Sequence, residues 1–393
     1  MDFSLVFVVI LLGGWLSGRL FGKIGLPSIL GMVVFGIGCS LFLTSHTPQL
    51  LWDVAPCLKS FALIVILLRA GLGLNKDALK KNGRIALLLA FLPCLAEGAA
   101  LTLAIHYVFH FDFYTAGLTA FMLSAVSPAV IVPSMLDLKS RGIGKEKDVP
   151  TIILAGASVD DVVAITLFTV FLDLALSGQV DILRAVLSVP LSLVLGIAAG
   201  AAAGFLLLRF FRRYHEDIRA TEKTLVLVMA GTLLVDLGDS AHFAALIGLM
   251  TIGFIVLEKS ELIAKELAGK LSKIWVFAEI ILFVLIGFSL DVTVALHGGL
   301  KALAVLAIGL AFRSLAVWLS TAGSHLTRRE RLFCVIAYLP KATVQAALGG
   351  VALSRGIPEG DTILALAVMA ILVTTPVGLI GIRKLGRPLL EGA

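Results

Sequence analysis

Thirteen long apolar runs constrain the fold of this chain more than any other feature of its 393 residues. A helix needs roughly 20 apolar residues to cross the hydrocarbon core of a bilayer, whereas spanning β-barrels show short alternating segments. Hydrophobic residues make up 59% of the chain and charged residues 15%, against about 25% charge in an ordinary soluble domain. The continuous runs therefore predict an all-α polytopic membrane protein.

The predicted transmembrane helices follow these runs. The first run has no small-residue cleavage site after it and leads directly into the second, so we expect a retained helix and not a signal peptide. The predicted spans are 3–20, 27–44, 55–75, 85–109, 114–136, 149–175, 187–208, 222–238, 240–257, 274–290, 300–323, 330–354 and 362–382.

Lysine and arginine concentrate in the loops that follow the odd-numbered spans. The loop after the fifth span, for example, carries Lys139, Arg141, Lys145 and Lys147. By the positive-inside rule the N-terminus lies outside and the C-terminus in the cytoplasm. The net charge of +6 then reflects topology, and we expect no nucleic-acid partner. The expected location is a bacterial inner (plasma) membrane, with lipid around the helices.

Cofactor and enzyme motifs are absent from the sequence. The four cysteines (Cys39, Cys57, Cys94 and Cys334) are isolated in or beside apolar runs, so neither a disulfide framework nor a zinc site is predicted. The sequence also lacks a phosphate-binding glycine loop. We therefore expect a protein that is not an enzyme, needs no cofactor and draws on an ion gradient for any transport.

Charges and prolines interrupt the apolar runs at corresponding places in the two halves of the chain. Glu97 lies 31 residues before Pro128, and Arg313 lies 27 residues before Pro340. Because proline removes a backbone donor and clashes with the preceding turn, we expect interrupted helices at Pro128, Pro133 and Pro340. Two such helices in oppositely oriented halves are typical of inverted-repeat transporters, with a binding site near the midplane. Ordinary proline kinks are the alternative.

Asp160 and Asp161 are adjacent in an apolar run, where each charge costs several kcal/mol. They differ by about 100° around a helix and so can flank one site. Carboxylate oxygens suit a hard cation such as Na⁺ or Li⁺, while burial and mutual repulsion favour the protonated forms. The pair can therefore hold a cation or protons in competition, which is the requirement for exchange.

Other polar residues are weaker candidates for the same site. Ser127 and Ser158 can supply ligand oxygens, although serine in a membrane helix often bonds its own backbone. Glu279 and Asp236 lie inside predicted spans and can either line a water path or anchor the end of a span.

Four segments resemble the NHA-type branch of the second monovalent cation:proton antiporter family, over about residues 27–380. They read LRAGLGL, SAVSPAVIVPSML, GASVDDVVAITLF and YLPKATVQAALGG. The resemblance implies an NhaA-like fold with two crossed, interrupted helices and a homodimer. It also implies a moving core at about 55–175 and 300–382, carried against dimerisation helices at about 1–44 and 187–290.

The resemblance also implies roles for individual residues. Asp161 would be the main cation ligand and Asp160 its proton-binding neighbour. Arg313 stands where several relatives have a lysine paired with the first aspartate, and Glu97 matches the acidic partner of that position. An arginine effectively never deprotonates, so it cannot release a transported proton. Lys341, in the second interrupted helix, can compensate the carboxyl ends of half-helices.

Two other classes of membrane protein are alternatives to an exchanger. An intramembrane aspartyl protease also uses two buried aspartates, but those face each other across one water, whereas Asp160 and Asp161 are neighbours on one helix. An ion-coupled solute symporter or a channel on the same fold stays open as an alternative, because a fold does not by itself fix a function.

Overall fold

A computed structural model describes residues 2–24, 26–43, 47–74, 76–177, 182–214, 217–241, 243–289, 292–349 and 351–391. These residues form helices joined by short connections, and no strand occurs among them. The helices are α1 Phe3–Lys23, α2 Ser28–Leu43, α3 Gln49–Leu72, α4 Lys76–Phe109, α5 Phe113–Ser124, α6 Pro128–Ser140, α7 Val149–Ser177, α8 Ile182–Arg213, α9 Ala220–Ala241, α10 Ala245–Lys259, α11 Glu261–Phe288, α12 Val292–Ser320, α13 Arg328–Ala337, α14 Thr343–Leu348, α15 Val351–Ser354 and α16 Gly360–Leu390.

Every predicted span overlaps a helix or an interrupted helix in this order. By length and composition, eight helical segments of the described chain can cross a membrane. The α5–α6 segment, Phe113–Ser140, is buried throughout its apolar window, whereas only 22% of the α1 window is buried. The α5–α6 segment therefore lies at the centre of the helices, and α1 lies at the periphery.

Helix α12 has one exposed apolar face and one face that is buried in the protein. Phe312, Leu315 and Leu319 are exposed apolar residues at helical spacing on one face. Arg313 lies on the opposite side of the same turn and is fully buried. Since a large apolar face is stable only against lipid or another protein, this arrangement directs the arginine inward.

The first interruption separates α5 from α6. Ala125 and Ser127 are extended, with φ/ψ of −63°/137° and −93°/109°. A residue before proline is driven out of the helical region, and proline itself is well suited to the first position of a new helix. Pro128 therefore both ends one helix and begins the next. Pro133 lies inside α6, which continues through it, so only Pro128 of these two prolines marks a break.

The second interruption separates α13 from α14. Helix α13 begins with a capping box between Thr327 and Glu330 and ends at Ala337. Pro340 follows in the irregular segment, and its ring packs on α16 at Gly378. A Cβ atom at Gly378 would lie 2.3 Å from the Pro340 ring, so glycine is required for this close approach.

Helix α4 connects the elements that carry the predicted site. It packs against α5, α7 and α12, and α16 packs against α12, α13 and α14. Glu97 on α4, Asp160 on α7, Arg313 on α12 and Lys341 after the second break are thereby brought together, and each of these side chains is at most 1% exposed.

Candidate ion-binding site

The two helix interruptions, at residues 125–127 and 338–342, contact each other, and we call the place where they meet the crossing. The Ser127 backbone N–H donates to the Pro340 carbonyl at 3.0 Å. The Ser127 and Thr343 hydroxyl oxygens lie 3.2 Å apart. Backbone groups that proline leaves unpaired in one helix are in this way satisfied by the other, as membrane burial requires.

Arg313 contacts four groups of the site through one guanidinium. Its Nη1 donates to Glu97 Oε2 at 2.7 Å and its Nη2 to Asp160 Oδ2 at 2.8 Å. The same guanidinium donates to two backbone carbonyls, that of Ser124 at 2.6 Å and that of Tyr338 at 2.8 Å. These carbonyls lie where α5 and α13 end, so one buried cation binds two carboxylates and the negative end of each interrupted helix.

Glu97 lies between two cations. Lys341 Nζ is 2.8 Å from Glu97 Oε1 and donates at 3.0 Å to Oε2, the oxygen that also accepts from Arg313. The Lys341 backbone is fixed by α16, because its N–H donates to the Thr374 hydroxyl at 3.0 Å and its carbonyl accepts from the Thr375 hydroxyl at 2.6 Å. The side chain of Lys341 thus compensates Glu97, and not the carboxyl ends of the half-helices that we had predicted.

The carboxyl end of α5 is capped by side chains from the other half of the chain. Gln345 Nε2 donates to the carbonyls of Met122 at 3.0 Å and Ala125 at 2.9 Å. The last carbonyls of any helix lack a partner within the helix. With Arg313 on the Ser124 carbonyl, Gln345 supplies donors that the interrupted backbone cannot. Gln345 was not among the predicted site residues, although a glutamine four residues after Lys341 in an apolar run is a usable signal.

The two aspartates differ in their surroundings. Asp160 Oδ2 accepts from Arg313 and from the Val126 backbone N–H at 3.2 Å. Asp161 is 2% exposed, and no basic side chain of the described residues lies within ion-pair distance of it. A buried carboxylate without a partner is costly, so it needs a proton or a cation.

Buried oxygens without a hydrogen-bond partner concentrate at this crossing. In the part of the chain that the structure describes there are four such side-chain atoms: Asp160 Oδ1, Asp161 Oδ1, Tyr338 Oη and Gln345 Oε1. All are hard oxygen atoms of the kind that bind Na⁺ or Li⁺. The described residues hold no group of three or more histidine, cysteine, aspartate or glutamate side chains suited to a resident metal ion. These four oxygens are therefore candidate cation ligands.

A cleft of about 610 Å³ opens along α6 on the C-terminal side of the first interruption. It is lined by Pro133, Ser134 and the second half of α6, by the start of α2, by the end of α16 and by Glu279 of α11. Glu279 is half-buried and lines this cleft. Asp236 is exposed on α9 and does not line the cleft.

Comparison with known proteins identifies the family. Residues 7–385 match the family model described as "Sodium/hydrogen exchanger, transmembrane". The chain belongs to the sodium/hydrogen exchanger family. Human sodium/hydrogen exchanger 9B2 is 34% identical over 408 residues, covering 96% of this chain and 73% of that protein. Human sodium/hydrogen exchanger 9B1 is 31% identical over 383 residues, covering 93% and 73%.

A solved structure supports the fold of this family member. The sodium proton antiporter MjNhaP1 from Methanocaldococcus jannaschii, determined at pH 8, superposes with a TM-score of 0.74. The match covers 97% of both chains at 17% sequence identity, so it bears on the fold alone. The predicted membership in a monovalent cation:proton antiporter family is confirmed, and the named relatives are transporters.

The two predicted serine ligands occupy different places in this exchanger-family chain. Ser127 lies in the first interruption and contacts Thr343 of the second. The Ser158 hydroxyl donates to the Leu154 carbonyl of its own helix at 2.8 Å, which is the common use of serine in a membrane helix.

We expect Ser158→Ala to change ion-driven proton exchange less than about twofold, because its hydroxyl already bonds its own helix backbone. Proton movement in proteoliposomes after a sodium pulse measures this. The matched change Ser127→Ala should have the larger effect, since it removes a contact between the two interruptions. A larger loss in Ser158→Ala than in Ser127→Ala would contradict this ranking.

Proposed function

We propose that this chain is an antiporter that exchanges Na⁺ or Li⁺ for H⁺, with Asp161 as the main cation ligand and Asp160 as its proton-binding neighbour. The observation that carries the proposal is the contrast between the three buried carboxylates of the crossing. Among the described residues, Glu97 and Asp160 each contact a basic side chain, and Asp161 contacts none. The sodium/hydrogen exchangers among the relatives support the exchange of Na⁺ for H⁺.

The balance of buried charges at the crossing favours an exchange of one cation for one proton. The buried charges there are three carboxylates and two basic groups, Arg313 and Lys341. With all of them ionised, one negative charge is left over, and either one proton or one monovalent cation neutralises it. A site that is neutral with either occupant can move through the low-dielectric membrane in both states, whereas an unoccupied site is held back by its charge.

The movement that we propose is alternating access. The core, at about 55–175 and 300–382, would carry the site past scaffold helices at about 1–44 and 187–290, which form a homodimer. The two halves would be inverted repeats, so that their interrupted helices cross at the site. Pro128 and Pro340, whose segments are joined by the Ser127–Pro340 hydrogen bond, support this arrangement.

We also propose that the cleft lined by Glu279 is the cytoplasmic entrance of a multi-pass plasma-membrane protein. The cleft contains Arg141, Arg383 and Arg387, from the basic loop after the fifth span and from the C-terminal segment. The positive-inside rule assigns both to the cytoplasm. Cysteine-accessibility labelling of Ser134→Cys from each side of the membrane tests this orientation.

Purified protein in proteoliposomes tests the function itself. An imposed Na⁺ gradient should drive proton movement, and Li⁺ and K⁺ in turn give the cation preference. Proton movement that is independent of every monovalent cation would contradict the proposal.

Because cation and proton share one site, we expect acid to weaken apparent Na⁺ affinity without lowering the maximal rate at saturating Na⁺. The cation binds the ionised carboxylate, so the apparent KM should rise as pH falls, by about tenfold per pH unit for one competing proton. Initial rates at a series of Na⁺ concentrations and pH values measure this slope. A pH-independent KM with a falling maximal rate would instead indicate a separate pH-sensing group.

A further inference from the structure

Gln345 is a buried amide whose orientation is fixed by its neighbours. Its side chain is 0% exposed, and its Nε2 lies 3.0 Å from the Met122 carbonyl and 2.9 Å from the Ala125 carbonyl. Carbonyl oxygens only accept, so the amide must turn its N–H groups toward them and its Oε1 away. This orientation leaves Oε1 buried and without a hydrogen-bond partner.

A single peptide group joins Gln345 to Asp160. The carbonyl of the Ala125–Val126 peptide accepts from Gln345, and the N–H of the same peptide donates to Asp160 Oδ2 at 3.2 Å. This peptide lies in the first interruption, where no helix holds it in place. Hydrogen bonds in series through one peptide polarise each other, so the Gln345 contact both orients and strengthens the N–H donor.

We propose that Gln345 is a positioning residue of the ion site, which holds the Ala125–Val126 peptide toward Asp160 and thereby sets the apparent affinity of the site for Na⁺. The inference rests on the proposed antiport function. It assigns to α14 a role in tuning a carboxylate on α7, through backbone that belongs to neither helix. Arg313 and Lys341 contribute positive charge to the same site, whereas Gln345 fixes the orientation of a backbone donor.

The effect of losing Gln345 follows from the contacts of Asp160. The Arg313 guanidinium and the Val126 N–H both donate to Asp160 Oδ2, and Oδ1 is left without a hydrogen-bond partner. Without Gln345 the peptide N–H is free to turn, and the carboxylate loses one of the two donors that fix its orientation. A carboxylate that is not held in place must be ordered when the cation binds, so we expect the apparent KM for Na⁺ to rise roughly threefold to tenfold with little change in the maximal rate.

Gln345→Met is the central variant, because methionine keeps the length and apolar stem of glutamine but cannot donate. At a fixed pH its apparent KM for Na⁺ should show the full rise of roughly threefold to tenfold. Gln345→Glu is the rescue variant. A protonated carboxyl beside the two carbonyl oxygens can donate one hydrogen bond, so the apparent KM of this variant should lie between those of Gln345→Met and the wild type.

Gln49→Met is the matched control, since Gln49 is exposed on α3 and its amide bonds only Asp53, at 3.1 Å. Two measurements are made on each protein at one fixed pH: the dependence of proton movement on Na⁺ concentration in proteoliposomes, which separates KM from the maximal rate, and thermal stabilisation by Na⁺ in detergent. The second needs binding but no transport. If Gln345→Met fails to fold, Gln345→Glu against the wild type carries the test by the same two measurements.

A folded Gln345→Met with the wild-type KM and wild-type Na⁺ stabilisation would overturn the inference while leaving the antiport proposal intact. Equal KM values in Gln345→Met and Gln345→Glu, both raised above the wild-type value, would also overturn it, because the donor would then not matter. If the wild type binds Na⁺ without exchanging it and Gln345→Met still needs more Na⁺ for the same thermal stabilisation, antiport fails and the positioning role stands.

Discussion

Asp161→Asn should abolish Na⁺-driven proton movement while leaving the fold unchanged. The substitution removes the only buried carboxylate of the crossing that has no basic partner among the described residues. A neutral amide can neither neutralise a bound cation nor release a proton, and burying it costs less than burying an unpaired charge. Because Arg313 contacts Glu97 and Asp160 but not Asp161, the ion-pair network should survive.

The same variant should also lose thermal stabilisation by Na⁺ in detergent, since a ligand stabilises only a protein that binds it. Asp173→Asn is the control, because Asp173 is an exposed aspartate on the same helix. It should exchange at the wild-type rate. A well-folded Asp161→Asn that exchanges Na⁺ as fast as Asp173→Asn would place the cation site elsewhere.

The sequence predicted the parts of this site that depend on charge in an apolar setting. A buried carboxylate or guanidinium is so costly in a membrane that its presence in a long apolar run is informative by itself, as for Glu97, Asp160 and Arg313. Proline before a new helix was equally informative at Pro128, because its geometry acts locally.

The parts that escaped prediction depend on which groups meet across the fold. Gln345 carries no charge, and only the crossing of α14 with the end of α5 shows that its amide caps exposed carbonyls. Lys341 was expected to compensate helix ends, but the end carbonyls of α5 and α13 lie within reach of Arg313 instead. Pro133 was expected to interrupt a helix, yet α6 continues through it. The distances between residues on different helices cannot be read from their spacing in the sequence.

Arg313→Gln should cause the largest loss of stability of any single change at the crossing. It leaves Asp160 without a cation and the carbonyls of Ser124 and Tyr338 without a donor. Removing one partner of a buried ion pair typically costs about 3–5 kcal/mol. Thermal melting of the purified protein in detergent measures the effect. Arg209→Gln, which alters an exposed arginine of α8, should melt like the wild type.

Arg313→Lys should be intermediate in stability and should retain exchange. A lysine keeps the charge but has three donors on one nitrogen, whereas the guanidinium makes four contacts in a fixed plane. A desolvated lysine can also titrate, so this variant could add a proton to the cycle and make exchange sensitive to membrane potential. Exchange rates measured with and without an imposed potential test that consequence.

Second-site changes separate the two ion pairs that Arg313 makes. Asp160→Asn added to Arg313→Gln removes the carboxylate left unpaired, while the Glu97–Lys341 pair at 2.8 Å stays intact. That double variant should therefore melt at a higher temperature than Arg313→Gln alone. Glu97→Gln added to Arg313→Gln should give no such recovery, because it leaves both Asp160 and Lys341 buried and unpaired. If the two double variants melted at the same temperature, unpaired charge would not be the cause of the instability, and the lost contacts to the Ser124 and Tyr338 carbonyls would account for it.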